Sequence, residues 1–189
     1  MKNNLTALVV IDVQCGILDF PGLARPEETH RALDQTILRI RSLLDRARQA
    51  NAPVIFVQHD GGPGHPLEPN TPGWPIRAEI APLRQEPVIH KRACDAFFET
   101  NLQKELTKRG VTQLVIAGCM TPYCIDTSVR RAISLGYDVL LASDAHTTAD
   151  SPTLKFEQII AHHNAVLDGF GAGRHEVRVM QSSEIIKQL

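Results

Sequence analysis

Short β-branched apolar runs alternate with longer amphipathic stretches along this chain, and that alternation restricts the fold more than any other feature. The run TALVVIDV, residues 6–13, is almost continuously apolar, as expected of a strand covered on both faces. Over 26–51, Leu33, Ile37, Ile40, Leu44 and Ala47 recur at helical spacing, with acids early and arginines late. VIFVQH (54–59) and EPVIHK (86–91) read as the second and third strands. TNLQKELTKRG (100–110) reads as a helix with a Thr-x-x-Gln capping box and a closing glycine. TQLVIAG (112–118) is the fourth strand, and a helix follows from Pro122 to Leu135, stopped by Gly136. YDVLLAS (137–143) is a fifth strand, 153–169 a helix, HEVRVMQ (175–181) a sixth strand, and SSEIIKQL a short closing helix. Strands separated by helices imply right-handed parallel crossovers. The expected fold is α/β: a doubly wound, mainly parallel six-stranded sheet with helices on both faces. Such sheets carry their sites at the carboxyl ends of the strands.

No repeat, low-complexity tract or linker divides the chain, so one domain is expected over residues 1–189. With 20 basic and 21 acidic residues and no run of like charge, neither nucleic acid nor an anionic membrane is the expected partner. The opening MKNNLTALVVIDVQ has one lysine and too short an apolar stretch for a signal sequence, and no later segment has the length of a bilayer span. The chain therefore reads as cytoplasmic. Its four cysteines, at 15, 94, 119 and 124, form no CxxC pair and no zinc-type spacing. Buried thiols and one reactive thiol are expected rather than disulfides.

The strand ends carry abrupt polarity. Asp12 interrupts an apolar strand, and a buried carboxylate must find a cation or take up a proton. Its other reading is a helix-capping or backbone-bonding aspartate. Lys91 ends the third strand in the same way, or is simply a solvated terminus. Cys119 follows Gly118 and reads as a small space-filling thiol. Cys124 falls at the start of a helix, where free N–H groups and the dipole favour a thiolate. With a lysine near it, its pKa is expected below the free value of about 8.5. Asp12, Lys91 and Cys124 together meet the needs of covalent acyl chemistry, with Cys124 as the nucleophile.

VVIDVQ, VIHKRACDAFF, GCMTPYCIDTSVRRAISLGYDV and SDAHTT, in this order and spacing, resemble the isochorismatase-like cysteine hydrolases over nearly the whole chain. The resemblance implies a Rossmann-like three-layer sandwich and an Asp–Lys–Cys triad, here Asp12, Lys91 and Cys124. It also implies a cis peptide between Cys119 and Met120, with the N–H groups of Met120 and Cys124 as an oxyanion hole. It further implies hydrolysis of a C–N bond in a small amide or an N-carbamoyl or ureido compound, since the branch that cleaves the vinyl ether of isochorismate lacks the cysteine. No organic cofactor is required.

Two other readings stand beside this one. A metal-assisted, nicotinamidase-like amidase would use His59, Asp60 and His65. That branch has Asp-x-His after the second strand, however, and Gly62 stands where the histidine is wanted, so no metal is assigned. A non-hydrolytic thiol or binding protein on the same fold is the other. The stretch DGGPGHPLEPNTPGW, from residue 60, has four prolines and four glycines and reads as a long functional loop over 60–75. His59, Trp74, Thr121 and Tyr123 are candidate pocket residues, Trp74 being as well suited to pinning the loop. Asp126 and Thr127 read as helix-start partners, His146 as a backbone-bonding residue, and His162 and His163 as packing or contact residues. Cys15 and Cys94 read as structural. Phe97, Phe98 and Phe156 suggest an apolar surplus, and the resemblance implies a homodimer or homotetramer acting on a small molecule.

Overall fold

A computed structural model describes residues 5–189, so Met1–Asn4 of the opening stretch lie outside it. The strands are β1 (Thr6–Ile11), β2 (Val54–His59), β3 (Val88–Lys91), β4 (Gln113–Cys119), β5 (Asp138–Thr147), β6 (Gly171–Ala172) and β7 (His175–Met180). They form one sheet in the order β3-β2-β1-β4-β5-β7-β6, parallel throughout except for the β6/β7 pair. The helices are α1 (Pro26–Gln49), α2 (Leu102–Lys108), α3 (Asp126–Ser134), α4 (Phe156–Leu167) and α5 (Ser182–Ile185). β1 shows why both faces are covered. Leu8 and Val10 pack with Leu33, Ile37, Ile40 and Leu44 of α1, whereas Ala7, Val9 and Ile11 pack with residues of α2 and α3. Chain order runs outward from β1 through β2 and β3, then reverses to β4 on its other side. The β1/β4 boundary is thus the switch point, where crevices form at the carboxyl ends of strands.

The three-layer α/β class is as expected, with seven strands in place of six. The added strand, β6, has two residues and hydrogen-bonds antiparallel to β7, too short to leave a periodic signal. β5 runs on to Thr147 through a register shift opposite Ile116–Gly118, so Asp144 and His146 lie within it. The expected capping box does not form. α2 begins one residue late, behind Asn101, and Thr100 Oγ1 donates to the Ala96 carbonyl while accepting from Leu102 N–H. A π-helical turn, Thr121–Ile125, precedes α3. Among the described residues no helix is long and apolar enough to cross a membrane. Phe97 and Phe156 are buried within this chain and only Phe98 is exposed, so two of the three aromatics are not the apolar surplus that the sequence suggests.

Candidate active site

Three strand ends and the π-helical turn converge at the switch point. The chain turns sharply after β1: Asp12 adopts a φ of 54°, which aspartate tolerates better than most residues, and its N–H donates to the Val57 carbonyl. Gly118 permits the close approach of β4 there, since a Cβ at that position would stand 2.0 Å from the Ile11 carbonyl oxygen. β3 delivers Lys91 from the other side. Its Nζ lies 2.6 Å from Asp12 Oδ2 and donates to the Ala93 carbonyl at 2.9 Å and to Cys124 Sγ at 3.2 Å. His59 Nδ1 is a fourth neighbour, at 3.3 Å. Asp12, Lys91 and Cys124 are therefore together, and the Cys119–Met120 peptide bond beside them is cis.

Burial governs the electrostatics of this group. It raises the Asp12 pKa above the usual carboxylate range, against the lowering pull of Lys91. It works to discharge Lys91 as well, but the neighbouring Asp12 and Cys124 outweigh it and raise the ammonium pKa. The Cys124 thiol is pushed up by burial and then by Asp12, with Lys91 opposing. That reverses the expectation of a lowered thiol pKa: the helix start and the lysine favour the thiolate, but desolvation, the largest influence here, and the charge of Asp12 outweigh them. Asp12 Oδ1 is buried and accepts no hydrogen bond from the described residues, which leaves an open acceptor for a proton. Cys119 is fully buried in the core, and burial keeps its thiol protonated.

A cavity of about 420 Å³ opens above Cys124. His59 and Tyr123, two of the expected pocket residues, line it; Trp74 and Thr121 do not. Trp74 pins the loop instead: its Nε1 donates to Asp60 Oδ1, and its carbonyl accepts from the Gln14 and Gln58 side chains. Thr121 is buried against His146 Nδ1 at 2.9 Å, and His146 Nε2 meets Asn164 Oδ1 at 2.9 Å. His146 thus bonds side chains rather than the backbone. Asp126 pairs with Arg130 one helical turn on. His163 Nδ1 lies 2.8 Å from the Ile159 carbonyl of its own helix, and the His162 ring stands edge-on to it.

Sequence reasoning missed the apolar wall at Ile17, Leu18, Phe20 and Leu67, and also Cys94. The apolar stretch GILDF directly after a strand end was the available signal for the first three. Cys15 and Cys94 are both exposed rather than packed, and Cys94 lines the cavity. Among the described residues no three His, Cys, Asp or Glu side chains converge as metal ligands. The His59 and His65 rings lie 5.4 Å apart, but Asp60 is turned toward Trp74 and His90, so the His59–Asp60–His65 arrangement does not assemble.

Residues 6–167 match the isochorismatase domain family. A streptothricin hydrolase from Streptomyces noursei is 40% identical over 146 residues, which covers 77% of this chain and 51% of that protein. The chain thus spans about half the length of the streptothricin hydrolases it matches. A ureidoacrylate amidohydrolase from Agrobacterium fabrum is 28% identical over 180 residues, covering 77% of each chain. An isochorismatase-family protein from Chromobacterium violaceum has a similar solved structure, with a TM-score of 0.85 at 28% identity, covering 99% of this chain and 94% of that one.

Proposed function

This chain belongs to the isochorismatase family of hydrolases, and from that premise we propose that it cleaves the C–N bond of a small amide, N-carbamoyl or ureido compound through a thioester on Cys124. The observation that carries the reading is Lys91, buried between Asp12 at 2.6 Å and Cys124 at 3.2 Å. One cation offsets one negative charge, and both acids beside it have raised pKa values. Asp12 and Cys124 then share a single proton near neutrality, and Lys91 stabilises whichever of them is ionised.

Attack follows from that sharing. The thiol proton passes to Asp12 as the sulfur adds to the substrate carbonyl. The N–H groups of Met120 and Cys124 hold the resulting oxyanion. Asp12 returns the proton to the leaving nitrogen, the C–N bond breaks, and an amine or ammonia departs from the thioester. Water then gives a proton to Asp12 and adds its oxygen to the thioester carbon. The C–S bond breaks, and Cys124 regains the proton as the acid leaves. Carbon, nitrogen, oxygen and protons balance without an organic cofactor.

Ammonia release from a panel of small primary amides, carbamoyl amino acids and ureido acids tests the reading. Cys124→Ala is expected to abolish turnover with the circular dichroism spectrum unchanged, whereas Cys119→Ala keeps part of it. The reverse pattern would overturn the assignment.

A further inference from the structure

Among the described residues the cavity above Cys124 offers a substrate no cation, and its polar side chains other than the reacting groups include two imidazoles whose hydrogen-bonding sense is fixed. We propose that the site takes an uncharged amide, with an apolar acyl portion whose distal hydrogen-bond acceptor meets the Nε2–H groups of His59 and His65. An amide bearing a free carboxylate is excluded. The proposal rests on Cys124 being the nucleophile and narrows that reading to one substrate class.

His59 Nδ1 faces Lys91 Nζ at 3.3 Å. An ammonium has only donors, so an Nδ1–H would face it with hydrogen against hydrogen; the neutral ring therefore leaves Nδ1 bare and carries its proton on Nε2. Burial, and next the charge of Lys91, lower the His59 pKa to about 4, so the ring is neutral in the physiological range. His65 is set in the same sense, because its Nδ1 accepts the Leu67 N–H at 3.0 Å. Its ring lies directly over Gly61, where a Cβ would stand 2.3 Å from Nδ1. Only glycine leaves room for the imidazole in that place. Both histidines line the cavity.

The rest of the wall is largely apolar, supplied by Ile17, Leu18, Phe20, Leu67, Met120 and Tyr123. Among the described residues Asp12 is the one lining carboxylate, and its charge is already met by Lys91. Lys91 in turn has three N–H donors and four acceptors around them, so none is spare. Arg92 lies toward a separate cavity with Asp60, His90 and Phe98. A substrate carboxylate would thus be buried without a counter-ion and near Asp12, and that mismatch discriminates against it.

Two alkylating agents of similar size read this at the sulfur itself: neutral iodoacetamide and anionic iodoacetate. Labelling of Cys124, followed by peptide mass, is compared in the native and the urea-unfolded chain. The iodoacetamide-to-iodoacetate rate ratio is expected to be at least about tenfold higher in the native protein. Phe20→Arg, a change at the partly exposed rim, should bring the ratio back toward the unfolded value. A native ratio equal to or below the unfolded one overturns the proposal and leaves the nucleophile assignment standing. Failure of both reagents to label native Cys124 while Cys15 reacts removes that assignment, and the proposal with it. The imidazoles are tested with two uncharged primary amides, one alkyl and one carrying an ether or carbonyl oxygen beyond the scissile group. His65→Leu should lower kcat/KM about tenfold for the second alone; equal losses would remove the imidazole from recognition.

Discussion

The last two residues of β3 build two carboxylate pairs that differ in one respect. Successive strand residues face opposite sides, so Lys91 meets Asp12 at 2.6 Å and His90 meets Asp60 at 3.0 Å. The first pair is dry, with side-chain exposures of 0% and 2%; the second is wet, at 47% and 17%. Burial dominates Asp12 and raises its pKa. At Asp60 burial also acts upward, but the bonds from His90 and Trp74 outweigh it and the pKa falls. A carboxylate with a low pKa is a fixed charge, and here it anchors the loop through Trp74, whose ring stacks on His90. A carboxylate with a raised pKa can exchange a proton with the thiol beside it. Desolvation, more than the distance to a partner, separates the chemical pair from the structural one.

Removing the two carboxylates in turn gives the largest contrast. Asp12→Asn is expected to lower turnover by about 10²–10⁴-fold, the usual worth of a positioned general base, while Asp60→Asn stays within the same order of magnitude. Steady-state ammonia release measures both. Comparable losses would erase the distinction between the pairs.

Removing the cations should separate stability in the same way. Lys91→Met leaves Asp12 buried and unpartnered, at a cost of about 3–5 kcal/mol by urea unfolding. His90→Gln, in the exposed pair, is expected to cost no more than about 1 kcal/mol.

The smallest effect concerns another dry group. Burial lowers the His146 pKa to about 4, against the raising influence of Asn164. An unfolded histidine titrates near 6.5, so between these values the unfolded chain holds the extra proton. Stability from this site is complete above about pH 6.5 and falls as the pH drops toward 4, by up to about 1.4 kcal/mol per unit. His59 acts in the same direction. Melting temperatures at pH 7 and pH 5 should therefore differ less in His146→Gln than in the parent.

The dry pair was legible in the sequence because Asp12 and Lys91 interrupt or end strands that are otherwise apolar. Cys124 was legible through its place at a helix start, and the layered α/β fold through its buried runs. The cavity wall was not: GILDF marks an apolar stretch past β1, but nothing in it separates Ile17 and Leu18 from core residues, and Leu67 stands alone in a loop of prolines and glycines. The continuation of β5 was hidden by Asp144 and His146, which read as a loop until their partners are known. Asp144 accepts from Ser182 N–H and Oγ–H, and His146 bridges Thr121 and Asn164, so both polar groups are satisfied within a strand. The thiol pKa was misjudged because desolvation depends on what packs over a residue, and one segment of sequence does not carry that.

Alkylation of Cys124 against pH, in the parent and in Lys91→Met, tests the shared proton most directly, because only the thiolate reacts. Lys91 opposes the upward push of burial and Asp12 on the Cys124 thiol, so with it present the thiolate is reached at lower pH. Without it, either anion would be buried alone, and both acids keep their protons to higher pH. The Lys91→Met curve is predicted to lie at higher pH than the parent curve. Coincident curves would show that Lys91 does not stabilise the Cys124 anion and would contradict the account.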